Sequence, residues 1–140
     1  MKEFNYFLKV GDVRKVARDI ELARSLVKDM NERIEKANLL DADIFAKMIF
    51  ENFYDALRDF SDAILAVNGF KAYSHQASIV YLKKFGFGDS VLMEFDGFRY
   101  KRNSSKYYGE IIYPRDSKNI KEFFERIRKD VERVLGELGV

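Results

Sequence analysis

Apolar residues recur at helical spacing along most of this chain, and the interruptions mark where one helix gives way to the next. From Asp12, a cap after Gly11, the positions Val13, Val16, Ile20, Leu26-Val27, Met30 and Ile34 fall on one stripe. Asn38-Leu39-Leu40-Asp41 interrupts it. Asp41 then caps a second helix, with Ile44-Phe45, Met48-Ile49, Phe53, Leu57, Phe60, Ile64 and Val67 on its apolar side. Asn68-Gly69 ends that helix, since glycine suits the left-handed position after a helix. Ser74 caps a short third helix, His75 to about Lys84, which Gly86-Phe87-Gly88 stops. A fourth helix opens at Asp89 or Ser90 and reaches about Tyr108 despite Gly97. The connection Gly109 to Arg115 contains the single proline, Pro114; the competing reading of a strand at Gly109 to Tyr113 leaves that strand without a partner. Asp116 or Ser117 caps a fifth helix, with Ile120, Phe123-Phe124, Ile127, Val131, Val134-Leu135 and Leu138 facing inward.

This pattern predicts an all-α fold. Short connections favour antiparallel neighbours, so the expected architecture is an up-down antiparallel bundle of four long helices and one short one, in a single domain over residues 1–140. Thirteen Phe and eight Tyr make the expected core aromatic. Charged residues reach 34%, above the roughly 25% of an average domain, which suits long amphipathic helices with solvated outer faces. The charges nearly cancel, at +2, so no strong field favours nonspecific coating of DNA. The absence of cysteine removes disulfides, thiol catalysis and zinc–thiolate sites together. Without a signal-peptide core or a long apolar run, the expectation is a cytoplasmic protein with no membrane contact.

The fourth helix carries the chemistry. Along its apolar line Val91, Phe95 and Phe98 lead to Arg102, a charge where the spacing calls for another hydrophobic residue. Arg99, Lys101, Arg102 and Lys106, interleaved with Tyr100, Tyr107 and Tyr108, form a basic patch. Guanidinium groups bind phosphate bidentately and exposed tyrosines stack on unpaired bases, so the patch is a candidate RNA footprint. The alternative is an arginine whose long stem merely covers the end of the core. No metal or cofactor is expected. Asp41 and Asp43 are too close in sequence to face each other, and Glu51/Asp55 is ordinary spacing for a solvated helix face. Gly86-Phe87-Gly88 lacks the remaining features of a phosphate loop.

Three stretches carry a resemblance: Glu51-Asn52-Phe53-Tyr54-Asp55-Ala56-Leu57-Arg58-Asp59, Gly69-Phe70-Lys71-Ala72-Tyr73-Ser74-His75, and Arg102-Asn103-Ser104-Ser105-Lys106-Tyr107-Tyr108-Gly109. Together they resemble the HEPN (higher eukaryotes and prokaryotes nucleotide-binding) superfamily, above all its small stand-alone prokaryotic members, over nearly the whole chain. The resemblance implies a helical bundle that forms a homodimer. It also implies a metal-independent RNase motif of Arg, a polar residue and, a few residues on, His. Arg102 and Asn103 match the first two; Tyr107, Tyr108 and Gly109 stand where the histidine belongs. Metal-free RNA cleavage needs groups that exchange protons near neutral pH. Tyrosine, with a pKa of about 10, is poorly suited to this, and arginine holds its proton.

Three functional expectations follow. The leading one is a degenerate HEPN domain that binds RNA or nucleotide phosphate through Arg99, Arg102, Asn103, Lys106, Tyr107 and Tyr108, with His75 as a secondary candidate. By resemblance, its partner would be a small nucleotidyltransferase in a toxin–antitoxin pair. The second is an active RNase with an unusual acid–base set drawn from Arg102, Asn103, Tyr107, Tyr108 or His75. The third is a purely structural dimerisation module.

Overall fold

The computed structural model describes residues 1–140 as an all-α helical bundle with one very small sheet. In chain order the elements are α1 (Phe4–Val10), β1 (Val13–Lys15), α2 (Ile20–Ala37), α3 (Ala42–Asn68), β2 (Phe70–Ala72), α4 (His75–Tyr81), a 3-10 turn (Leu82–Phe85), α5 (Asp89–Tyr108) and α6 (Pro114–Leu138). The four long helices stand where periodicity places them, with one exception at the N-terminus. No helix is long and apolar enough to cross a membrane.

The central element is α3, which packs against α2 and α6 along most of its length and also meets α4 and α5. Its sequence explains this position. Phe50, Phe53, Tyr54, Leu57, Phe60, Ile64 and Leu65 are all buried, so the helix is apolar around much of its circumference. The facing helices supply Met30 and Ile34 from α2 and Ile120, Phe123, Phe124, Ile127 and Val131 from α6. Aromatic edge-to-face contacts tie the layers: Phe53 to Phe124 at 6.0 Å, Phe50 to Phe98 at 6.1 Å, and Phe95 to Phe123 at 6.2 Å. Asp41 caps α3 through the Asp43 N–H, and Ser74 caps α4 through the Ala77 N–H, as the sequence predicts.

The N-terminal expectation is corrected. The first long helix begins at Ile20, not near Asp12, and its cap is Asp19, whose carboxylate accepts from the Leu22 N–H. Residues 13–15 instead form β1, antiparallel to β2, with Val13 opposite Ala72, Arg14 opposite Lys71 and Lys15 opposite Phe70. The path continues along the end of α3: the Val16 N–H donates to the Gly69 carbonyl at 2.9 Å and the Asp19 N–H to the Ala66 carbonyl at 3.0 Å. Carbonyls that a helix terminus leaves unsatisfied are thereby used, which makes the extended path more favourable than another helical turn. A further short helix, α1, anchors the N-terminus by burying Phe4 and Phe7; the Phe4 ring meets Tyr81 at 4.5 Å and Phe70 at 5.3 Å. The bundle thus has two short helices rather than one. At the other end α6 starts at Pro114, earlier than Asp116, and the Tyr113 N–H donates to the Asp116 carboxylate. Gly109 to Tyr113 forms no strand.

Candidate functional site

Helix α5 has the fewest fully buried residues of the long helices. Only Leu92 and Phe95 are fully buried in it, and none of residues 99–108 is. Phe98 completes its contact with the core, against Phe50 and Phe123. One turn further along the same line comes Arg102, where the hydrophobic interior gives out.

Arg102 is neither buried in the core nor free in solvent. Its side chain keeps 19% of its exposure and lies across the face of the Tyr54 ring, 5.3 Å from the centroid. Its nearest carboxylate is Asp55, at 3.8 Å, and Asp55 is shared with Arg33 at 3.7 Å. Arg33 in turn bonds Asp59 at 3.0 Å. The Arg102 ion pair is therefore long and divided, which leaves guanidinium donors unused. The group opens onto a cleft of about 220 Å³ between α3 and α5, lined by Lys47, Phe50, Glu51, Arg102, Ser105, Lys106 and Ile112.

The other expected site residues distribute unevenly around this cleft. Lys106 lies in its wall, exposed, and rests 5.6 Å from the Tyr107 ring centroid. Tyr107 and Tyr108 are exposed, at 66% and 87%, on the outer end of α5. Asn103 is partly buried next to them. Arg99 is drawn away by Asp96, one turn back at 2.6 Å, and Gln76 Nε2 approaches the same carboxylate at 3.4 Å. Lys101 leaves the basic patch altogether: it binds Glu110 at 2.7 Å and Asp116 at 3.7 Å, pinning the connection into α6.

His75 lies behind Arg102, half-buried, with its Nε2 shielded from solvent. Its Nδ1 shares a hydrogen bond with the Tyr54 hydroxyl, and its ring packs edge-on to Tyr54 and Phe95. Burial, with the positive charges of Arg58, Arg99 and Arg102, lowers its pKa to about 3. Burial likewise raises the Tyr54 hydroxyl well above its ordinary value, although Arg102, Arg58 and Arg99 pull it back. Both groups are therefore neutral across the physiological range. His75 hydrogen-bonds Tyr54 and so orients the ring that carries Arg102.

Sequence reasoning missed the α3 side of the site: Lys47 and Glu51 in the cleft wall, and Tyr54 and Asp55 against Arg102. The signal was present. Glu51, Asp55, Arg58, Asp59 and Asp62 form a polar stripe along a helix otherwise largely buried, and a helix in that position has little reason to carry one unless another element faces it. What the arrangement can do is hold an anion. It offers a guanidinium on an aromatic face and an ammonium on either wall, at Lys106 and at Lys47, the latter 3.9 Å from the Glu51 carboxylate.

No protein-family model, no curated protein and no solved structure matches this chain.

Proposed function

We propose that this chain is a HEPN-like domain that binds RNA or nucleotide phosphate at the α3–α5 cleft, and that it does so without cleaving it. One observation carries the reading: Arg102 lies at the mouth of the cleft on the Tyr54 ring with only a long, shared ion pair to Asp55. A phosphate entering between Lys47 and Lys106 would meet guanidinium donors that no carboxylate saturates. Tyr107 and Tyr108 stand beside it, exposed and able to stack on bases.

The binding test is fluorescence anisotropy with a labelled single-stranded RNA, comparing the wild type with Arg102→Ala. Loss of charge-assisted bonds should weaken binding about 10- to 100-fold. Equal affinity in the two proteins would remove the proposal. The catalytic alternative is tested by incubating the protein with tRNA and mRNA at neutral and mildly alkaline pH, again beside Arg102→Ala. Arginine-dependent cleavage would overturn the non-cleaving reading and require a proton carrier among Asn103, Tyr107 and Tyr108.

A homodimer built at this same end is a second reading, and a specific feature favours it. Ile44 and Met48 flank Lys47 on α3, Tyr107, Tyr108 and Ile111 follow the α5 wall, and all five are exposed apolar or aromatic side chains. Such a collection around one cleft suits burial against a second copy. A dimer of this kind would bring two Arg102 groups towards a common ligand. Partnership with a small nucleotidyltransferase belongs to the same proposal.

A further inference from the structure

The two-stranded ribbon presents a charge arrangement that folding alone does not favour. Arg14 of β1 and Lys71 of β2 are directly opposite each other in register, both exposed, on the face that also carries Tyr73. Like charges directly across an antiparallel pair are destabilising. A ribbon of three residues per strand has little stability of its own to offset that. Neither cation is neutralised. Arg14 and Lys71, and the neighbouring Lys15 and Arg18, take part in none of the chain's ion pairs. The nearby carboxylates are engaged or set back: Asp19 caps α2, Asp62 pairs with Arg58 at 3.7 Å, and Asp12 is half-buried.

Tyr73 explains how the two charges are held. Its ring, 60% exposed, has the Arg14 guanidinium 5.3 Å and the Lys71 ammonium 5.5 Å from its centroid. The ring's π-system attracts both cations and holds each close to the same aromatic group. The Tyr73 N–H donates to the Asp12 carbonyl at 2.7 Å, which extends the ladder and fixes the residue that carries the ring. The result is a preformed pair of positive groups with no counter-ion.

Lys71 borders a groove of about 490 Å³ between α2, α3 and β2, whose other charged residues are Asp19, Asp62 and Arg58, the last two paired with each other. Two neighbouring cations without counter-ions, beside an exposed ring, suit a phosphodiester strand, which carries charge along its length and bases beside it.

We infer that the β1–β2 ribbon is a second anion-binding surface, in which Arg14 and Lys71, held by Tyr73, grip the phosphodiester backbone of a single-stranded nucleic acid. This surface is separate from the Arg102 cleft and does not depend on it. The test measures binding of a labelled single-stranded oligonucleotide by anisotropy over a salt series. The proteins compared are the wild type, Arg14→Ala/Lys71→Ala, Tyr73→Ala and Arg102→Ala. The ribbon double variant should bind at least about 10-fold more weakly at low salt. Its slope of log K against log salt should fall by about 1.4, at about 0.7 for each phosphate no longer neutralised. Tyr73→Ala should weaken binding by a smaller factor. Thermal melting should show the double variant to be at least as stable as the wild type, because a like-charge pair has been removed.

An unchanged affinity and salt slope in the double variant overturns this inference while leaving the Arg102 cleft standing if Arg102→Ala alone loses binding. Loss in the ribbon variant with no effect of Arg102→Ala supports the ribbon and overturns the cleft. A wild type that fails to bind the oligonucleotide but binds phosphatidylserine vesicles through Arg14 and Lys71 assigns the ribbon to a membrane surface and overturns the inference. Failure to bind either probe overturns it as well.

Discussion

Burial moves proton affinity in opposite directions at His75 and Asp62. The folded chain keeps His75 neutral, with a pKa of about 3, whereas the unfolded chain would take up that proton near about 6.5. Its contribution to stability is therefore lost as pH falls from about 6.5 towards 3. Asp62 and Asp59 behave inversely. Desolvation raises each to about 6, against the pull of Arg58 on Asp62 and of Arg33 on Asp59. The folded chain holds protons that the unfolded chain releases at about 4, so their contribution is complete below about 4 and is lost as pH rises through about 6. Comparison of wild type with Asp62→Asn isolates one member of this set. The wild type's advantage in urea midpoint should shrink as pH is raised from about 4 to about 6 and then level off. An advantage that grows over this interval would mean that the Arg58 ion pair, not desolvation, governs Asp62.

At the scale of elements, the junction between α3 and β2 controls both the ribbon and the entry into α2. Gly69 adopts φ 77°, and a methyl group there would stand 2.9 Å from the Val16 carbonyl oxygen. Both the backbone conformation and the closeness of the 16–18 segment require glycine. Gly69→Ala should cost about 1–3 kcal/mol in chemical denaturation. It should also loosen the ribbon, since Val16 bonds the Gly69 carbonyl. Hydrogen exchange at the Val16 and Tyr73 amides would report this directly, and unchanged protection would show that the ribbon does not depend on the junction. Helix α5 offers the contrasting case. Its apolar line is strong through Phe95 and Phe98 and then fails, so its outer half is held by ion pairs such as Lys101–Glu110 rather than by burial. Surface pairs of this kind contribute little each. That half of the helix is therefore the part best placed to adjust to a ligand or a second copy.

For the whole molecule, α3 is the shared element: it supplies Lys47, Phe50 and Glu51 to the cleft, and Arg58, Asp62 and Leu65 to the groove beside the ribbon. The exposed apolar rim of the cleft leads to one expectation about assembly. Met48→Glu and Tyr108→Glu, both at exposed positions, should leave the fold intact by circular dichroism and shift the light-scattering mass towards the monomer. A wild type already monomeric at high concentration, or variants with unchanged mass, would remove the dimer from the proposal and leave the cleft as a site complete in one chain.

The sequence by itself determined the helical content, the order of the four long helices and most of their inward faces, because helical periodicity and capping residues act locally; Ile44, Phe45 and Met48, on the predicted apolar side of α3, are exposed instead. Asp41, Ser74 and Gly69 were legible for the same reason. It also isolated Arg102, since a charge on an apolar line is an anomaly that spacing alone exposes. Only the tertiary structure decided the rest. Val13 and Val16 fit helical spacing, but their segment became extended when the end of α3 and β2 offered it hydrogen-bond partners, a choice between remote segments that no local pattern encodes. The same applies to the site. That Lys101 is neutralised, that Asp55 is shared, that Tyr54 carries Arg102 and that His75 packs against Tyr54 and Phe95 all depend on which helices face one another. Charge in a sequence marks where an ion could bind; pairing and burial, set by packing, decide which charges remain free to do so.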